Sequence, residues 1–167
     1  MIVVSDSTPL ITLMKGMRLD ILQDLFGDVL IPDAVFDEVT RNAKFQKEAE
    51  QIKNCAFIKK VSVKNLESVV MLQRATGLDR GESEAIIYAD ENHADVLLMD
   101  EEAGRKVAMN MKLPLAGSMG VIIQAKKAGL LSADEADEVL DRIEKTNIHI
   151  SKRLLQDVKN IIHEEKQ

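Results

Sequence analysis

The chain has 167 residues, 46% of them hydrophobic and 30% charged, with a formal net charge of −6. That length and balance suit one ordinary domain with a real core, and no apolar run approaches the roughly 20 residues that span a bilayer. The acidic balance argues against a duplex-DNA binder working through a basic face, and four Phe, one Tyr and no Trp leave little for a broad base-stacking platform.

Cys55 is the only cysteine, which rules out an internal disulfide and fits a reducing, cytoplasmic interior. Met1-Ile2-Val3-Val4 lacks the basic start and small-residue cleavage site of a signal peptide. His93, His149 and His163 stand apart, with no Cys or His at zinc-ligand spacing.

In chain order, Ile2-Val3-Val4 reads as a strand buried on both faces of a parallel sheet. It runs through Ser5 into Asp6, and Ser7 or Thr8 can then cap a helix whose first turn holds Pro9. Asp6 is therefore expected at the carboxyl end of a strand, facing a helix N-terminus, where open α/β sheets bind ligands. The helix stops at Gly16. Leu19, Leu22, Leu25 and Phe26 mark a second helix ending at Gly27. Val29-Leu30-Ile31 is a short strand closed by Pro32, and Asp33 caps a helix that carries Asp37 and Glu38.

Residues 43–54 read as a polar helix, and Phe57 to Val63 as an edge strand. Leu66, Val69, Val70 and Leu72 suggest a further helix. Gly77 to Gly81 is a glycine-bracketed turn, with a helix from Glu82. Val96-Leu97-Leu98-Met99 is a second buried strand, and it too runs into an acid, Asp100. A helix over 101–111, a short strand at 114–116 and the apolar helix after Gly117 follow. Ser132 with Glu135 forms a capping box, and Leu154 to Ile162 carries the last helix. Alternating strands and helices predict a three-layer α/β/α fold around a central parallel sheet. The divisions are a domain over 1–131 and a helical extension over 132–167, packed on the same domain or on a dimer partner.

Two strands end in acids, Asp6 and Asp100, and two helices carry Glu38 and Glu82 on or beside a buried stripe. Buried carboxylates are costly without a partner, and no basic residue is aimed at all four. A divalent cation is the natural partner, and oxygen ligands suit Mg²⁺ or Mn²⁺, the ions that support in-line phosphoryl displacement. Each acid also has a bland explanation: a solvated helix face for Glu38, the helix dipole for Glu82, a helix cap for Asp6 or Asp100. Asp37, Glu84, Glu101 and Glu102 read as surface acids.

Taken together these stretches resemble the PIN domain, a metal-dependent nuclease family. The resemblance runs over Val3 to Ile11, Ile31 to Val39, Gly81 to Ile86 and Leu97 to Asp100. Leu115 to Ile122 is similar to a prokaryotic subgroup of predicted PIN proteins. It implies that Asp6, Glu38, Glu82 and Asp100 are the catalytic and metal-binding residues, with Mg²⁺ or Mn²⁺ as cofactor and single-stranded RNA as substrate. It also implies a homodimer and, as in many prokaryotic members, an antitoxin partner. A Ser or Thr often precedes the family's last acid; here Leu98-Met99 do, and Ser5, Ser7 and Thr8 are nearby hydroxyls. Arg105, Lys106, Lys112, Lys44 and Lys47 are candidate phosphate contacts.

Two other classes are open. A haloacid-dehalogenase-like phosphatase or a receiver domain also uses an Asp at a strand end, but Thr8 stands where that phosphatase needs a second Asp. A non-catalytic PIN-like core would bind RNA or an antitoxin only, with Leu154, Val158, Ile161 and Ile162 as a docking stripe.

Overall fold

The computed structural model describes residues 1–164; the end of the expected extension, 165–167, lies outside the described residues. Five strands form one sheet: β1 (Val3–Ser5), β2 (Val29–Pro32), β3 (Ile58–Val61), β4 (Val96–Leu98) and β5 (Leu115–Ala116). Their order is β3-β2-β1-β4-β5 and every pairing is parallel. Val3, Val4 and Ser5 are all fully buried. Successive strand residues point to opposite faces, so both faces of β1 are covered, as a parallel sheet requires.

The helices are α1 (Ser7–Lys15), α2 (Asp20–Phe26), α3 (Asp33–Arg41), α4 (Gln46–Lys53), α5 (Leu66–Thr76), α6 (Arg80–Glu91), α7 (Glu102–Asn110), α8 (Ser118–Lys127), α9 (Ala133–Glu144) and α10 (Lys152–His163). Helix α6 lies against β1, β2 and β4 and contacts α3, α5 and α7. A second group, α1, α2, α8, α9 and α10, packs together, with α2 reaching β2. The result is a three-layer α/β/α fold.

Three helix starts differ from expectation. The N-cap of α1 is Asp6, not Ser7 or Thr8, and that of α3 is Pro32, because Asp33 is already helical. Asp33 instead accepts a hydrogen bond from Ser62 Oγ at 2.6 Å. The turn expected up to Gly81 ends early: Asp79 caps α6, so Arg80 and Gly81 are helical. The capping box of Ser132 and Glu135 on α9 forms as read.

Helices α9 and α10 share the main core. Val139, Leu140, Ile143, Leu155, Val158 and Ile162 are buried in the same cluster as the strand residues. Leu155, Val158 and Ile162 are thus core residues, while Leu154 is exposed. The fit is close where α1 ends: a Cβ on Gly16 would stand 2.8 Å from Val139 Cγ1.

The chain leaves β1 toward β2 on one side and returns from β3 to β4 on the other. The reversal of direction falls between β1 and β4, and the crevice at their carboxyl ends is the expected binding edge of such a sheet.

Candidate active site

Asp6 and Asp100 sit at that crevice. Ser5 pairs with Leu98 across the sheet, and the Asp6 amide donates to Leu98 O at 2.9 Å. Asp6 is 1% exposed. It occupies the N-cap of α1 yet makes no side-chain capping bond, and its Oδ1 is buried without a partner. Burial, more than anything else, pushes its carboxyl well above the usual range. The Ser7 amide pulls it down, and the charges of Glu38, Asp79 and Glu82 raise it further.

Helix α6 brings its N-terminus to the same place. Glu82 N–H donates to Asp79 Oδ1 at 2.8 Å and Asp79 N–H donates to Glu82 Oε2 at 3.0 Å. Glu82 is therefore part of a capping box as well as of the acidic cluster. It is pushed up to about 7, first by burial and then by hydrogen bonding to the Glu101 carboxyl; the Asp79 amide opposes this, and the Asp79 and Glu101 charges add to it. Glu38 comes from α3. A Cβ on Gly81 would stand 3.0 Å from Glu38 Oε2, so the missing side chain lets this carboxylate lie on the first turn of α6, where the helix dipole favours negative charge. Burial raises Glu38, the Ser7 hydroxyl lowers it, and Asp79 and Glu101 raise it again.

The structure thus brings Asp6, Glu38 and Glu82 together and adds Asp79 and Glu101. Sequence spacing alone places Asp79 in a turn and Glu101 on the surface. The D-x-x-E spacing of Asp79 and Glu82 is the available signal for the cap. Glu101 is solvent-exposed, but it acts on Glu38, Glu82 and Asp100. Thr8 Oγ1 lies 3.4 Å from its Oε1.

Asp100 lies at the margin of this group. Ser118 N–H donates to its Oδ1 at 2.7 Å and Ser118 Oγ to its Oδ2 at 2.9 Å. Asp100 therefore binds the start of α8 rather than that of α7, the helix that follows it. Gly117 makes the approach possible, since a Cβ there would stand 2.8 Å from Oδ1. Burial raises Asp100, while Ser118 and the Arg105 charge lower it.

The other predicted residues are less central. Arg105 donates to Met99 O at 2.8 Å, and Lys44, Lys47, Lys106 and Lys112 are exposed. Glu84, expected on the surface, is 4% exposed, and Arg80 one turn earlier meets it at 3.1 Å. Asp37 pairs with Arg41 at 3.6 Å, and Glu102 is exposed.

The family model described as a PIN domain matches residues 2–164, nearly the whole chain and both C-terminal helices. The chain belongs to the PIN-domain family. No curated protein and no solved structure gave a significant match.

The PIN domain is a nuclease-type fold, and a divalent metal is the typical cofactor of the family. Among the described residues no three His, Cys, Asp or Glu side chains form a ready metal-binding group. The donor set nevertheless fits a hard cation: every candidate ligand is a carboxylate oxygen, and Asp6 Oδ1 is buried with no other partner. The charges raising Asp6, Glu38 and Glu82 are those of other carboxylates. Like charges in this arrangement hold one another apart until protons or a cation neutralise them. The hydroxyl bonded to Asp100 is that of Ser118 from α8, a partner not visible from the local motif, and not that of Ser5, Ser7 or Thr8. Among the described residues no helix is long and apolar enough to cross a membrane.

Proposed function

We propose that this PIN-domain protein is a Mg²⁺- or Mn²⁺-dependent endoribonuclease that cuts single-stranded RNA. The observation that carries the reading is Asp6: a buried carboxylate at the switch point of the sheet, one oxygen unpartnered, faced by three more acids. A structural carboxylate would have a donor for that oxygen. Asp6, Glu38, Glu82 and Asp100 would hold the cation, which when bound supplies Lewis-acid activation and charge neutralisation at a phosphodiester.

The chain's own groups have distinct tasks. Ser118 fixes the Asp100 carboxylate through both of its oxygens. The Asp79 amide occupies Glu82 Oε2, so Oε1 is the atom left to hold a proton. With its carboxyl pushed up to about 7 by burial and by Glu101 in the metal-free chain, Glu82 holds that proton near neutral pH until a cation displaces it. A second copy of the chain and the antitoxin of a toxin–antitoxin pair are the partners this reading implies.

The test is cleavage of a labelled single-stranded RNA by the purified protein. Products are expected with Mn²⁺ or Mg²⁺ and none in EDTA or with Asp6→Asn; equal cleavage in EDTA would refute the reading. A second reading, a PIN core that binds RNA or an antitoxin without cutting, is favoured by the finding that among the described residues no three acidic side chains form a ready metal-binding group. Stable RNA complexes that stay uncut across a metal screen would select it.

A further inference from the structure

Beside the acidic cluster, α1 and the segment joining α9 to α10 enclose two adjoining cavities. The first, of about 570 Å³, is lined by Thr8, Lys15, Lys44, Phe45, Asn147 and Ile148 among others. The second, of about 390 Å³, includes Thr8, Thr12, Ile148 and His149 and reaches Asp100 and Glu101. Thr8 and Ile148 line both, so one continuous cleft leads from Phe45 to the acids. Both volumes fall in the ~300–1,000 Å³ range of small-molecule sites.

The first cavity offers three different chemistries at one place. Phe45 is partly buried against the core and brings an aromatic ring to a chain with few of them. Asn147 is an exposed amide with both donor and acceptor. Lys44 is exposed and in no ion pair among the described residues, whereas Lys15 is held by Glu48 at 2.9 Å. A ring, an amide and a free ammonium match the base face, base edge and phosphate of a nucleotide.

Thr12 gives an independent sign of a ligand further along the cleft. It is 1% exposed and its Oγ1 has no partner. Thr40 and Thr76, in other helices of this chain, bond back to the carbonyl four residues earlier, Thr40 to Phe36 O at 2.7 Å and Thr76 to Leu72 O at 2.6 Å. Thr12 does not, and it lines the cavity next to His149.

We propose that this cleft is a nucleotide-binding subsite for single-stranded RNA, with Phe45 stacking on one base, Asn147 bonding its edge and Lys44 meeting its phosphate. The C-terminal helical pair, through its connecting segment, is then part of the substrate site. This rests on the ribonuclease reading for its ligand but not on cleavage.

The experiment uses the Asp6→Asn chain, in which no cleavage is expected, and measures binding of a fluorescent single-stranded RNA octamer in Mg²⁺ by anisotropy. Adding Phe45→Ala should weaken binding roughly 5- to 150-fold, and adding the exposed Asn147→Ala should weaken it with an unchanged melting temperature. An octamer with abasic nucleotides should bind equally well with and without the Phe45→Ala substitution. Binding unaffected by both substitutions, or no binding at all, would overturn the proposal. If RNA binds through these residues but the unsubstituted chain cuts none in Mn²⁺, the subsite stands and the nuclease reading falls.

Discussion

Ser118 holds both carboxylate oxygens of Asp100, one through its amide at 2.7 Å and the other through its hydroxyl at 2.9 Å. The amide bond survives any substitution except proline, so Ser118→Ala removes one bond and leaves the other. A hydrogen bond to a charged group contributes about 1.5–3 kcal/mol, and chemical denaturation should show a loss toward the lower end of that range. Loss of an orienting partner typically lowers metal affinity ~10–100-fold, so Mn²⁺ affinity by calorimetry should fall by a similar factor.

Asp6 is buried, unpartnered and surrounded by acids. Asp6→Asn keeps its shape and removes the repulsion, so the variant should melt at a higher temperature than the unsubstituted chain in EDTA. It should also lose the stabilisation that Mn²⁺ gives the unsubstituted chain, and RNA cleavage should fall by more than about 100-fold, beyond the loss expected for an outer partner. Thermal scans with and without Mn²⁺, together with the cleavage assay, check all three.

Glu82 titrates at about 7 in the folded chain against 4.5 for an ordinary glutamate. Such a carboxyl binds its proton more tightly folded than unfolded, so its contribution is complete below about pH 4.5 and is lost as pH rises through about 7. In EDTA, stability should therefore decline between those values. Glu82→Gln should flatten that decline when unfolding is followed across the range. Mn²⁺ must displace the same proton, so its affinity should rise with pH over the same interval.

Gly81 separates fold from site. Its φ is not in the left-handed region, and alanine favours a helix by up to about 1 kcal/mol over glycine. The new methyl would nevertheless stand 3.0 Å from Glu38 Oε2 and displace that carboxylate. Gly81→Ala should thus leave the denaturation midpoint nearly unchanged while weakening Mn²⁺ binding and cleavage together.

The strands are legible because Ile2-Val3-Val4 and Val96-Leu97-Leu98 are apolar runs too short for helices. Asp6 and Asp100 are legible as strand-end acids for the same reason. What spacing cannot supply is side-chain direction. Asp100 follows β4 as expected, but the hold of Ser118 on its oxygens depends on the bare backbone of Gly117, which belongs to the far side of β5 and α7 in the chain. Glu84 reads as exposed because the glycine-bracketed turn takes in its partner Arg80; once α6 starts at Arg80, the two are one helical turn apart. The share of the cleft built by Asn147 and His149 depends on how α9 packs against Gly16, a long-range contact with no local sequence signature.

The most direct test of the central claim is anomalous difference density from crystals soaked in Mn²⁺. A peak within bonding distance of Asp6 and at least one of Glu38, Glu82 and Asp100, absent from Asp6→Asn crystals, is the predicted result. Well-ordered carboxylates at the ends of β1 and β4 with no peak between them, in crystals where Mn²⁺ binds elsewhere, would contradict it.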